Sequence, residues 1–483
     1  MIQDGRVHRL GRRDSWEAVR VVVAGLGVSG FAAADNLTHL GARVTVLDES
    51  DAGDRGEKAT LLEILGAQVR LGQGSTSDLP GEVDLVVTSP GWSPAAPLLE
   101  QAVAREVPIW GEVELAWRLR EPEGAAPWLA VTGTNGKTTT VQMLDTILRS
   151  QGLRSVACGN VGLPMVEVVM DPAAYDVLAV ELSSFQLHYT SSMAAESAAV
   201  LNVAEDHLDW YTTVDEYAAD KARIYTAVSR ACVYNVAEAR TEELVRQAEV
   251  AEGARAIGFT LGTPAVGMLG VVDGVLADRA FIEERQDNAA ELCAVGDLFS
   301  DAPHMVANAL AAAALARAHG VSTTAVRDGL GSFSPDGHRI ADLGEVAGVW
   351  FVDDSKATNP HAAQSSLLAY DPVVWVAGGL AKGASFDGLV GVVRDRLRGV
   401  VLLGRDRAVI ADALSRHAPD VRVIDVDRGE TSAMDRVVEA ALDLAEPGDT
   451  VLLAPGCASM DMFADYGARG DAFAESVRRL RGR

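Results

Sequence analysis

The sequence predicts an α/β protein of three domains. Residues 1–121 read as a Rossmann-like domain, 122–335 as a central mononucleotide-binding ATPase domain of phosphate-loop type, and 336–483 as a second Rossmann-like domain. Three observations carry this. The 483 residues are too many for one hydrophobic core and enough for about three. Short apolar runs alternate with stretches of helical spacing, as in β/α units. Each third of the chain also has apolar runs that end in glycine, hydroxyl, acidic or cationic residues. That is where open parallel sheets hold ligands.

In order, residues 1–16 are polar and read as a frayed start. Arg20 to Ala24 reads as a strand, followed by Gly25-Leu26-Gly27-Val28-Ser29-Gly30 and an alanine-rich helix. A second strand, Arg43 to Leu47, ends at Asp48. This G-x-G-x-x-G turn with a later acidic residue is built for a diphosphate, which a nucleotide sugar presents as well as NAD does. Val83 to Thr88 reads as a strand running into Ser89-Pro90-Gly91, and Glu121-Pro122-Glu123-Gly124 reads as a linker.

The second domain opens on the stretch that organises the chain. The apolar run Trp128–Val131 leads into Thr132-Gly133-Thr134-Asn135-Gly136-Lys137-Thr138-Thr139, and a helical pattern follows. A strand, a glycine loop and a helix N-terminus make a cradle for phosphate, in which backbone N–H groups and the helix dipole face an anion. Lys137 is placed to reach the outer phosphates of a nucleoside triphosphate, and the Thr138 hydroxyl to hold Mg²⁺. The pattern G-x-x-x-x-G-K-[ST] is incomplete, because Val131 occupies its first glycine position. Tyr175 to Val180 then reads as a buried strand ending in Glu181, a second candidate Mg²⁺ ligand. Ala198 to Asn202 is another strand, followed by a loop carrying Asp206, His207 and Asp209. A capping box at Thr213–Glu216 starts a helix that carries Lys221. Pro303-His304-Met305-Val306-Ala307-Asn308 enters a helix of nearly unbroken alanines.

The third domain begins near Pro335-Asp336-Gly337-His338-Arg339. Its strands end in Asp354-Ser355-Lys356-Ala357-Thr358-Asn359, in Gly378-Gly379-Leu380-Ala381-Lys382-Gly383, in Gly404-Arg405-Asp406, and in Pro455-Gly456-Cys457-Ala458-Ser459.

Composition narrows the chemistry. There are 42 Lys and Arg against 68 Asp and Glu, a formal charge of −26. This argues against a nucleic-acid-binding face, and no local basic patch offsets it. No signal-peptide core and no apolar run of membrane-spanning length is present, so a cytoplasmic protein is expected. The four cysteines, Cys158, Cys232, Cys293 and Cys457, are far apart and read as buried thiols. Only five of the 42 basic residues are lysines: Lys58, Lys137, Lys221, Lys356 and Lys382. Where charge alone is wanted the chain uses arginine. A remaining lysine is therefore a candidate for chemistry that needs a compact ammonium or a nucleophilic amine. Lys58 reads as a solvated surface residue, and the other four sit in unusual local sequences.

These segments resemble the Mur ligase family of ATP-dependent amide-forming enzymes over nearly the whole chain. The matching stretches are 132–138, Gly159-Asn160-Val161-Gly162, Glu181-Leu182-Ser183-Ser184-Phe185-Gln186-Leu187, the His207 and Lys221 segments, His338-Arg339 and 354–359. Stretches 181–187, 354–359 and 454–459 look most like the member that adds D-glutamate to UDP-N-acetylmuramoyl-L-alanine. The Asp-Asn-Pro-Arg stretch of the member that adds a diamino acid is missing. One departure is Met305, where the family usually has asparagine.

The resemblance implies that ATP phosphorylates the sugar-peptide carboxylate to an acyl phosphate, which the incoming amine attacks. It places Gly133, Thr134, Asn135, Gly136, Lys137, Thr138 and Thr139 on the triphosphate, and Asn308, Arg339 and Asp354 on adenosine. It places Thr138 and Glu181 on one Mg²⁺, and His207 and Lys221 on a second, with Lys221 converted by CO₂ to a carbamate. Lys356, Thr358, Lys382, Ser459 and Tyr466 fall on D-glutamate. Gly27, Ser29, Asp48, Ser89, Gly91 and Asn160 fall on the UDP-sugar. A monomer is expected. Two rival readings explain less. A nicotinamide-dependent dehydrogenase leaves Gly136-Lys137-Thr138 idle, and a regulatory ATPase needs neither the first domain nor the later lysines.

Overall fold

The computed structural model describes residues 7–121, 123–173, 175–207, 210–335, 337–426 and 433–482. Pro122 and Asp336, at the two expected domain boundaries, lie outside the described residues, as does Asp209 of the His207 loop. The chain groups into two compact units. One comprises 1–203, 215–299 and 307–333, and the other 204–214, 300–306 and 334–483.

The first unit holds two sheets. The N-terminal sheet is parallel throughout, in the order Gln68–Leu71, Arg43–Asp48, Arg20–Ala24, Leu85–Thr88, Ile109–Gly111. The chain runs outward from the central strand on one side and then returns to the other. The crevice between Arg20–Ala24 and Leu85–Thr88 is thus a topological switch point. The second sheet is larger. Its parallel part runs Ser155–Gly159, Val177–Glu181, Trp128–Thr132, Ser197–Val200, Ala231–Asn235, Arg255–Phe259, Met268–Val272. Two antiparallel strands, Val275–Asp278 and Ala290–Ala294, extend its far edge. Here the order reverses between Trp128–Thr132 and Ser197–Val200. The helix Pro303–His319 buries every residue from Ala309 to Ala316, which accounts for its alanines.

The second unit carries one sheet in the order Ala341–Val346, Val349–Asp353, Thr450–Leu453, Val373–Gly378, Leu397–Leu403, Arg422–Asp425, with only the first pair antiparallel. Its central strand shows why parallel strands read as unbroken apolar runs. Val373, Trp375 and Ala377 enter one core, while Val374 and Val376 enter the other.

Over the described part of the expected frayed start, residues 7–16, the chain is packed instead. Trp16 is 0% exposed and its indole donates to the Gly11 carbonyl (3.1 Å). Arg12 donates to the Val169 carbonyl (2.8 Å), so the segment is packed by contacts that no local pattern announces.

Helix Glu112–Leu119 joins the two sheets of the first unit through two buried carboxyls with opposite fates. Burial works against Glu114. However, it accepts the Ser192 and Ser191 N–H groups (2.9 and 2.8 Å) and both their hydroxyls. These donors, with Arg118, hold it below the ordinary carboxyl range. Glu112 takes the Val166 N–H (2.6 Å) on Oε1, while buried Oε2 has no partner among the described residues. Burial outweighs that one bond and pushes the carboxyl up to about 7. The folded chain therefore keeps a proton that the unfolded chain has released, so stability falls as pH rises from about 4.5 to about 7. Glu112→Gln should flatten the melting temperature over that window and be more stable than wild type above pH 7, by up to ~3 kcal/mol. Denaturant titrations at pH 5 and pH 8 check this. Equal pH slopes in the two proteins would refute it.

Candidate active site

The phosphate loop is folded as its sequence requires. Gly136 caps helix Lys137–Ser150 with a left-handed φ of 83°, and a Cβ there would collide with the Asn308 side chain. Glycine is needed both for the turn and for the approach of Asn308, the residue expected at adenosine. Thr134 donates its N–H to the Asn202 carbonyl (3.1 Å). Asn135 and Asn202 exchange two more bonds, 2.9 Å to the Asn202 Oδ1 and 3.1 Å from its Nδ2. Asn202 follows the strand across the switch point, so its side chain braces the loop from the neighbouring strand end. The Lys137 ammonium folds back onto the Gly133 and Thr134 carbonyls (2.8 and 2.9 Å). Thr138 is half-buried in the first helical turn, and Thr139 is buried.

Glu181 ends the strand adjacent to the loop strand, in register with Val131. It is 2% exposed. Its Oε1 accepts the Asn160 amide (2.8 Å), and Oε2 is buried with no partner among the described residues. An unsatisfied buried carboxylate oxygen on the sheet edge that carries the Thr138 hydroxyl suits a hard divalent cation such as Mg²⁺. Lys221 is 1% exposed. Its ammonium donates to the Gly133 carbonyl (2.9 Å) and lies 4.3 Å from the Tyr217 ring centre. Lys137 and Lys221 thus converge on one loop carbonyl.

At the first sheet, Gly27 caps helix Val28–His39, so the N–H groups of its first turn are placed to receive an anion. Gly25 takes a φ of 95°, and a Cβ on Gly30 would strike its carbonyl. Ser29 and Ser89 are half-buried near this turn and Gly91 is exposed. Asp48 already has protein partners: the Leu26 N–H (2.6 Å), the Ser50 N–H (2.9 Å) and Arg55 (3.2 Å). Its observed role is to hold the glycine turn.

The second unit gathers the other expected residues. His207 has a φ of 57°, uncommon outside glycine, and its N–H meets Asp206 Oδ1 (2.9 Å). Asn359 donates to the other Asp206 oxygen (3.3 Å). Asp354 is buried and accepts the Ser366 hydroxyl. Burial pushes its carboxyl up to about 6 against the pull of Ser366 and Arg339. Lys356 lies 3.9 Å from the Tyr466 ring centre, Thr358 N–H closes a tight turn on the Lys356 carbonyl (2.8 Å), and Ser459 is buried. Lys382 is exposed on the loop after Val373–Gly378.

Sequence reasoning missed Asn202 and Arg469. Arg469 is 1% exposed and donates to the Ser355 hydroxyl (2.9 Å), the Ser355 carbonyl (2.8 Å) and the Cys457 carbonyl (3.0 Å). The Ser355 hydroxyl in turn donates to the Tyr466 carbonyl (2.7 Å). One guanidinium ties the Lys356–Thr358 loop, the Cys457–Ser459 loop and the start of helix Tyr466–Arg481 together, with no carboxylate in its hydrogen bonds. Burial lowers it to about 10. The only local signal was an arginine inside a helix. Arg469→Met removes three donors from buried acceptors and should cost about 3 kcal/mol. Chemical denaturation checks this, and a loss under about 1 kcal/mol would show that the loops hold without it.

The chain matches three family models: a Mur ligase MurD-like N-terminal domain over 19–111, a Mur ligase middle domain over 131–316, and a Mur ligase glutamate ligase domain over 338–457. Among curated proteins it is 60% identical over 466 residues to the UDP-N-acetylmuramoylalanine–D-glutamate ligase of Streptomyces avermitilis, covering 96% of this chain and 99% of that one. It is 61% identical over 462 residues to the protein of that name from Streptomyces coelicolor, covering 95% and 98%. The same-named protein of Mycolicibacterium smegmatis is 48% identical over 492 residues, covering 95% and 96%. Among solved structures, the UDP-N-acetylmuramate-alanine ligase MurC of Thermotoga maritima aligns with a TM-score of 0.56 at 18% identity, covering 95% and 99%. A pseudomurein peptide ligase type C of Methanothermus fervidus aligns at 0.57 and 15%, covering 96% and 100%. At such identities the structures speak for the fold alone.

Proposed function

Because the chain belongs to the Mur ligase family, we propose that its residues divide one ligation among three α/β domains, with limits at 1–121, 122–335 and 336–483. The enzyme is an ATP-dependent amide ligase of peptidoglycan precursor synthesis that adds D-glutamate to UDP-N-acetylmuramoyl-L-alanine. The terminal phosphoryl group of ATP passes to the alanine carboxylate, giving an acyl phosphate. The uncharged amine of D-glutamate attacks that carbonyl, and inorganic phosphate leaves. The protein's task is alignment and charge neutralisation.

The loop from Gly133 to Thr139 holds the triphosphate. Lys137 exchanges its bonds to the Gly133 and Thr134 carbonyls for phosphate oxygens, and Asn308, Arg339 and Asp354 take adenosine. Thr138 and Glu181 would hold one Mg²⁺, which when bound neutralises the transferring phosphoryl group. His207 would hold a second with Lys221, whose amine is no ligand for a hard cation until CO₂ makes it a carbamate. Gly27, Ser29, Asp48, Ser89, Gly91 and Asn160 take the UDP-sugar, and Asp48 also supports the turn. Lys356, Thr358, Lys382, Ser459 and Tyr466 take D-glutamate.

The observation that carries the phosphoryl-transfer reading is the buried Glu181 oxygen without a partner, in register with the strand that feeds the phosphate loop. ADP release across a panel of UDP-sugar acceptors and amino acids tests the whole reading. It should require D-glutamate and the alanyl sugar together. Release with the sugar alone or with another amino acid would overturn it.

A further inference from the structure

A cavity of about 190 Å³ lies at the amino ends of the central strands, lined by Arg120, Ala126, Trp128, Val168, Tyr175 and Leu178 among others. Trp128 is the first and Leu178 the second residue of strands whose carboxyl ends bear the phosphate loop and Glu181. The cavity therefore sits on the opposite edge of the sheet from the site above.

Its charged groups differ in one respect. Arg12 is committed to Glu121 (3.2 Å) and the Val169 carbonyl, and Asp171 to the Ala173 N–H (2.7 Å). Arg120 has no ion pair among the described residues. Its guanidinium carbon stacks 3.0 Å from the Trp117 ring centre and 5.9 Å from that of Trp128, and Trp128 meets Trp117 edge-on at 4.9 Å. Of its five N–H bonds, only Nε–H has an acceptor among the described residues, the Trp117 carbonyl (2.9 Å). Burial lowers this arginine to about 10, and the acidic groups of the lining, Glu121, Glu123 and Asp171, make no ion pair with it among the described residues. Trp128, 1% exposed, has its indole N–H buried without an acceptor.

A planar cation with one face covered by tryptophan keeps its edge donors for a coplanar, two-oxygen acceptor, which is the shape of a carboxylate. The alanine, valine, leucine and tryptophan lining favours an apolar, flat body behind that carboxylate. We propose that this cavity is a binding site for a small aromatic carboxylate, held by Arg120 beside the linker between the first two domains.

Benzoate is the probe, titrated calorimetrically into the full-length protein. It should bind at one saturable site. Arg120→Gln should weaken it about tenfold or more, the loss expected when a charge-assisted pair goes. Ala126→Leu, which keeps the guanidinium but fills the cavity, should do the same. Both variants should retain wild-type melting temperature and ligase turnover without benzoate, so that lost binding is not lost folding. The proposal is overturned by no saturation up to about 10 mM or by unchanged affinity in folded variants. Displacement of benzoate by D-glutamate also overturns it, because that places the probe in the active site. Binding of inorganic phosphate but not benzoate, lost in Arg120→Gln, rejects the carboxylate class.

Discussion

Lys221→Ala should lose most of its ligase activity and regain part of it when short carboxylic acids are added. The reason lies in the position of the amine. It is 1% exposed and sits on the Gly133 carbonyl at 2.9 Å, beneath the phosphates' expected place. As an ammonium it adds positive charge where Lys137 already supplies one. As a carbamate it would become an anionic oxygen donor suited to Mg²⁺. Lysine chemistry permits that conversion, and arginine chemistry does not. This explains a buried lysine in a chain with 37 arginines among 42 basic residues. Alanine leaves room for acetate or formate to supply the missing carboxylate oxygens. ADP release with and without these acids checks the prediction, and melting temperature separates lost chemistry from lost folding. Full activity in Lys221→Arg would show that a plain positive charge suffices, and the carbamate would fall.

How much of this was legible in the sequence depends on the range of the interaction. Gly133 to Thr138 could be read because the chemistry is backbone N–H, a helix N-terminus and one ammonium, all within a few residues. The glycine turn at 25–30 was legible for the same reason. Lys356 and Lys382 stood out because the other basic residues were nearly all arginine. Asn202 was not legible, since its three bonds to the loop span 67 or 68 residues of chain. Nor was Arg469, whose bonds to Ser355 cross 114 residues. Asp48, expected at the UDP-sugar, also accepts from Leu26, Ser50 and Arg55. An acidic residue at a strand end reads the same whether it grips a ligand or its own turn.

Two of the strands that escaped the sequence reading are hairpin strands. Val275–Asp278 and Ala341–Val346 each join an antiparallel neighbour through a tight turn with a left-handed glycine, Gly274 or Gly348. The 341–346 strand buries none of its residues fully. Period-2 alternation of apolar and polar residues signals a strand with one buried face, and this edge strand has none to display. Trp16 went unread for the converse reason: its burial is tertiary, inside a stretch that is otherwise polar.

Lys382→Ala should raise the apparent KM for D-glutamate about tenfold or more and leave that for ATP nearly unchanged. The loop that carries it is fixed up to its neighbour. Gly378 and Gly379 take φ values of 124° and 135°, which let the chain pass against the Leu403 and Ala458 carbonyls where a Cβ could not. Leu380 exchanges two backbone bonds with Ala458 (2.8 and 3.0 Å), and the Ala381 N–H goes to Asp406 (2.9 Å). Lys382 is the next residue, exposed and held at a φ of 49°. The ammonium is thus the exposed end of a hydrogen-bonded loop, braced to the same Cys457–Ser459 segment that Arg469 holds. Such a cation suits a carboxylate of D-glutamate distant from the reacting amine, because that amine must stay uncharged to attack. Alanine shares lysine's difficulty with a left-handed φ, so the substitution removes the charge without a new backbone strain. Initial rates with D-glutamate and ATP varied separately measure the split. A raised KM for ATP with D-glutamate unaffected would move Lys382 to the nucleotide site and refute the assignment.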